Sequence, residues 1–175
     1  MLLNIEKMKT NMKLDLTKIF NLQRELDKHI HGQHNVSYDT IQPELKLALL
    51  VELAETANEI RSFKFWSFKG PSDKPIILEE YVDAIHFVTA LGISHKCKEV
   101  FDLEQLPKFT TKREVTEAFN ILFASVNTIK DGISTYAWYK SYLEFGLRLG
   151  FSPDDIVKAY EAKCIINHQR QDNKY

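Results

Sequence analysis

The sequence predicts an all-α protein, a helical bundle core carrying one additional helical hairpin. Three observations carry that reading. Only 6 glycines and 5 prolines occur in 175 residues. No regular alternation of apolar and polar residues stands out, so no strand announces itself. Apolar side chains recur instead three and four positions apart, the spacing of a buried helix face. With 44% hydrophobic and 27% charged residues, the chain reads as one globular domain over 1–175, with 1–13 as an N-terminal extension.

Each helix has its own signal. Over 14–31, Leu16, Ile19, Phe20, Leu22 and Leu26 line one face. The second helix spans 42–63 and opens on Pro43, which suits a first turn where no amide partner is needed. The stretch 67-SFKGPSDKP-75 is loop chemistry. A third helix, from about Ile76 to Ile93, is apolar nearly all round. Residues 111–130 are amphipathic, and the next helix runs from about Ser134 to Leu149, stopped by Gly150. The last opens on 152-SPDD-155, with Ser152 as cap, Pro153 in the first turn and Asp155 closing a capping box. The 94–111 connection sets a helical hairpin apart from the core.

A formal net charge of -1 gives no general attraction to nucleic acid or acidic lipid. No apolar run reaches the length of a membrane span, and MLLNIEKMKTNMKLDL is interrupted by charge too early for a signal peptide. Cys97 and Cys164 belong to no metal-spacing pattern and read as reduced thiols, which implies the cytoplasm.

The chemistry lies in the acids. On a helix, Glu52, Glu55 and Glu59 fall within roughly 60° of one another. Leu45, Leu49, Leu53, Ala57 and Ile60 crowd the neighbouring face. The third helix repeats the arrangement with Glu80 and Asp83, three apart in a still more apolar segment. Several buried carboxylates without compensation would cost many kcal/mol, so they must neutralise or bind cations. A hard divalent ion with oxygen ligands resolves the conflict, and Mg²⁺ also accepts substrate phosphates. The closing helix adds Lys163, Asn167 and Arg170 on one face, donors suited to phosphate.

The spacing E-x-x-E, 24 residues, then E-x-x-D is similar to the metal signature of the all-α NTP pyrophosphohydrolases. Its surroundings, 61-RSFKFWSFKG-70, 78-LEEYVDAIHFVTALGI-93, LQRELD at 22–27 and 159-AYEAKCIINHQRQDNKY-175, resemble the dimeric all-α dUTPase family. The resemblance covers nearly the whole chain in the expected order.

That resemblance implies Mg²⁺-dependent hydrolysis of dUTP to dUMP and pyrophosphate by a homodimer, with dUDP as a further substrate. Glu52, Glu55, Glu80 and Asp83 would be catalytic and hold the metal with Glu59, and Glu52 is favoured as the base that activates water. Lys64, Lys163, Asn167, Arg170 and Gln171 would hold phosphates or close the site with Tyr175. Gln23 would read the uracil edge, Trp66 close over the base, and Phe87 lie against the deoxyribose where a 2′-hydroxyl has no room. Asp27 belongs to the same matched stretch, and His86 reads as structural. Where the family has glycine before the final Tyr, this chain has Lys174.

Three rival readings compete. A sibling enzyme would cleave dCTP or several dNTPs on the same scaffold, opposed only by Gln23, Trp66 and Phe87. A di-iron bundle needs two Glu-x-x-His pairs, and the chain offers only Asp83-x-x-His86. A non-catalytic helical module that binds a protein partner has no reason to place acid pairs within two apolar helices.

Overall fold

A computed structural model describes residues 11–174. In chain order the elements are β1 (Asn11–Asp15), α1 (Thr17–His34), α2 (Gln42–Ile60), α3 (Lys74–Ser94), β2 (Val100–Glu104), α4 (Lys112–Ser125), α5 (Gly132–Leu149) and α6 (Pro153–Asp172). The architecture is all-α, with α3 at the centre of the bundle and α1, α2, α5 and α6 packed around it. The additional hairpin is α4 and α5, and α5 returns to the core against α3.

From Tyr81 onward α3 is buried nearly all round because its sequence there is almost wholly apolar. Tyr81, Val82, Ala84, Ile85, Val88, Ala90 and Leu91 are each 2% exposed or less. Two tyrosines lock α3 to α5. Tyr81 donates its hydroxyl to the Tyr142 carbonyl at 3.0 Å, and Tyr142 donates to the Tyr81 carbonyl at 3.1 Å. Their rings stack at 4.5 Å, so two buried hydroxyls are satisfied by backbone oxygens that their own helices leave partly free. Gly146 makes this approach possible, since a Cβ there would run into the Tyr81 hydroxyl.

Helix ends follow local chemistry. Ser152 accepts the Asp155 amide at 3.0 Å and Asp155 accepts the Ser152 amide at 3.0 Å, the expected capping box. Gly150 ends α5 in the left-handed region, as its sequence position predicts. Elsewhere boundaries differ from expectation. α2 stops at Ile60 rather than 63 because Arg61 turns left-handed at φ 61°. α4 stops at Ser125, with a short 3-10 turn over Val126–Thr128. α1 begins at Thr17, whose amide is held by the Asp15 carboxylate at 2.9 Å.

The two strands are a correction. β1 pairs antiparallel with β2, from Asn11 opposite Glu104 to Asp15 opposite Val100. Residues 11–13, assigned above to an extension, are therefore part of the fold. In β2 only Phe101 and Leu103 alternate inward, a five-residue pattern too short to register as a strand signal. α2 is also less enclosed than its composition suggests, since Leu47 and Val51 are 63% and 46% exposed.

The Tyr81–Gly146 contact yields a stability prediction. Gly146→Ala should cost about 1–3 kcal/mol through overpacking, seen as a lower urea midpoint at unchanged slope. An unshifted midpoint contradicts this packing.

Candidate active site

α2 and α3 pack against each other and bring their acids to one place. Carboxylate oxygens of Glu52, Glu80 and Asp83 all lie within 4.8 Å of one another, each on a half-buried residue. Their electrostatics show the strain. Burial, then Asp83, Glu55 and Glu80, push the Glu52 carboxyl up to about 7. Burial, then Glu55 and Asp83, push Glu80 up to about 7, and a hydrogen bond with Glu55 adds to the effect. Burial also raises Asp83, against the opposing pull of Lys163. Desolvation and like charge act in the same direction here.

One cation does face the cluster. Lys163 of α6, 8% exposed, places its ammonium 2.6 Å from Asp83 and 3.1 Å from Glu79. Burial works against its charge, but the bonds and charges of Asp83 and Glu79 outweigh that and raise its pKa. A single lysine cannot balance three mutually repelling carboxylates, so the donor set fits a hard divalent cation with oxygen ligands.

The other sequence-predicted residues fall into three groups. Near the cluster, Glu55 is exposed and bonded to Glu80, while Arg170 is close enough to lower Asp83. Asn167 lies half-buried between Lys163 and Arg170 on α6. Phe87, one turn beyond Asp83, is half-buried and packs on the core. Others are engaged elsewhere. Glu59 accepts a hydrogen bond from the Ser72 hydroxyl, and its carbonyl accepts the Ser72 amide at 3.0 Å, so it fastens the 61–73 connection to α2. Lys64 donates to Asn58, also on α2. The Gln171 carbonyl accepts from Gln33, beside His34 and Lys174.

Gln23 and Trp66 take opposite states. Trp66 is 63% exposed and stands edge-on to Phe65, so it covers nothing in this conformation. Gln23 is 4% exposed and its polar atoms are occupied. Its carbonyl meets His86 and Tyr160, and its amide donates to Asp27 at 2.7 Å. A base edge therefore meets a Gln23 already held by three neighbours. The sequence missed this network, whose signal was two polar residues, Gln23 and Asp27, one turn apart on the buried face of α1.

Tyr175 lies outside the described residues. Lys174, which stands where the family has glycine, adopts φ 52°. The chain therefore keeps the left-handed turn that a glycine allows, on a residue less suited to it.

A helical bundle that gathers acids from two packed helices, faced by a lysine from a third, is the arrangement expected from the resemblance to the all-α NTP pyrophosphohydrolases. The dUTPase family model matches residues 15–175, and the chain belongs to that family. It is accordingly an enzyme of the dUTP diphosphatase class. Among curated proteins, no relative matches the chain.

The raised carboxylates make a pH prediction. Glu80 keeps its proton when folded between its ordinary value of 4.5 and about 7. Over that window the unfolded chain binds fewer protons, so stability falls as pH rises through it. Glu80→Gln removes this burden. In chelator, its melting temperature should exceed that of the wild type by a margin that grows from about pH 5 to about pH 8. Adding divalent cation should then stabilise the wild type more than the variant. A margin independent of pH contradicts the electrostatic account.

Proposed function

We propose that the chain hydrolyses dUTP to dUMP and pyrophosphate with Mg²⁺ held by Glu52, Glu80 and Asp83, joined by Glu55. The observation that carries this reading is the convergence of those carboxylates from α2 and α3 in a chain of the dUTPase family. When bound, the metal supplies positive charge against the phosphate chain.

The protein's own groups divide the remaining work. Lys163, held beside Asp83 and Glu79, and Arg170 on the same helix bind phosphate oxygens. Glu52 orients the attacking water and takes its proton, a role open to a carboxylate at the centre of the cluster. Glu59 acts from behind, keeping the 61–73 connection on α2. Closure brings Trp66 over the uracil with Lys64 near the phosphates, and Asn167, Gln171 and Tyr175 complete the α6 side. Phe87 excludes the 2′-hydroxyl, and Gln23 turns its remaining amide N–H to the base while keeping its bonds to Asp27, His86 and Tyr160.

The same reading takes the chain as one catalytic domain, working as a cytoplasmic homodimer that binds neither nucleic acid nor membrane. Exposed Leu47, Val51, Phe65 and Phe68 offer apolar surface for a second copy. The two cysteines are unpaired, and no described helix is long and apolar enough to cross a membrane. dUDP fits the same groups and would also give dUMP.

Product analysis with dUTP, dUDP, UTP and dCTP, with and without Mg²⁺, tests the proposal. dUMP and pyrophosphate should form from dUTP only with Mg²⁺, with UTP and dCTP slower by about 100-fold or more. Comparable turnover of dCTP indicates a broader nucleotide pyrophosphohydrolase, and no turnover of dUTP ends the proposal.

A further inference from the structure

His86 follows the acids Glu80 and Asp83 along α3, and its surroundings define its protonation. The ring is 5% exposed and stacks on Tyr160 at 4.0 Å and 21°. Its Nδ1 lies 2.9 Å from the Gln23 side-chain oxygen. That oxygen is identified by the other end of the amide, which donates to Asp27 at 2.7 Å. An amide oxygen only accepts, so Nδ1 must carry the ring proton. The Tyr160 hydroxyl also donates to this oxygen, and Tyr38 holds the far side of Asp27 at 2.6 Å. The network leaves the ring one tautomer, with Nε2 as a bare acceptor.

Among the described residues, that Nε2 has no hydrogen-bond partner although it is buried. Leaving a buried acceptor empty costs about as much as losing a hydrogen bond. Asp27, Gln23, Tyr38 and Tyr160 together maintain the state that makes it empty.

We propose that His86 Nε2 is a specificity determinant that accepts a hydrogen bond from a donor on the nucleoside part of the substrate. Position and chemistry both select that part. His86 lies one helical turn beyond Asp83, about 5 Å along α3, and close enough to Lys163 for the ammonium to act on the ring. Asp83 and Lys163 mark the phosphate end. Ionised phosphates carry no donor, so among the parts of a nucleotide a bare nitrogen at this position is matched by the sugar or base. A deoxyuridine nucleotide has two such donors, the 3′-hydroxyl and the imide N3–H.

The inference rests on the dUTP reading, and the two fail differently: loss of that reading abolishes wild-type turnover of dUTP, whereas loss of this one leaves it intact. The test compares kcat/KM for dUTP, its 3′-deoxy analogue and its N3-methyl analogue in wild type and His86→Phe, which keeps a ring against Tyr160. In the wild type, one analogue should lose about tenfold or more, and in His86→Phe that penalty should shrink to about twofold. Which analogue responds identifies the donor. Equal penalties in both proteins overturn the proposal. Should the variant not fold, nitrogen NMR of histidine-labelled wild type decides. The unprotonated His86 resonance should move on adding dUMP and stay in place with pyrophosphate, and an unmoved resonance with dUMP overturns the proposal.

Discussion

The repulsion among Glu52, Glu80 and Asp83 is the constraint on which the rest of the structure depends. Three carboxylates within 4.8 Å are an arrangement a folded protein avoids unless something outside the chain is meant to join them. α2 and α3 stay packed despite it because α3 is fixed from other directions. Reciprocal tyrosine bonds tie it to α5, and apolar side chains from α1 and α6 surround the rest. The core thus supplies the stability that the site removes, a division common to sites built for charged ligands.

Lys163 places the same logic on α6. Its ammonium neutralises part of the cluster when no nucleotide is present, and it sits on the helix that carries Arg170. Were a divalent cation held by those acids, Lys163 would be the side chain shared between the metal site and the phosphates. One turn further along α3, the Asp27–Gln23–His86 chain is satisfied at every atom except the one facing outward from the network.

The legibility of all this was uneven, for physical reasons. Acids three apart in apolar helices stand out because burial of charge is costly, so Glu52, Glu80 and Asp83 were readable before any coordinates. Capping signals were equally local, and Ser152, Asp155 and Gly150 fell where expected. The end of α2 was not readable, because Arg61 adopts a backbone conformation that its residue type does not favour. β1 and β2 escaped because five-residue strands stabilised by pairing across 85 or more positions leave little local pattern. The polar network of Gln23 was invisible because its partners come from three helices. Glu59 entered as a ligand through the family resemblance, and only the folded 61–73 connection shows its bond to Ser72.

The central claim is that α2 and α3 form a divalent-cation site that presents a deoxyuridine nucleotide for hydrolysis. Crystals grown with Mn²⁺ and a non-hydrolysable dUTP analogue test it most directly, through anomalous difference density. The account predicts a manganese peak bounded by Glu52, Glu80 and Asp83 and touching analogue phosphate oxygens. Bound analogue with no metal among those carboxylates would contradict it.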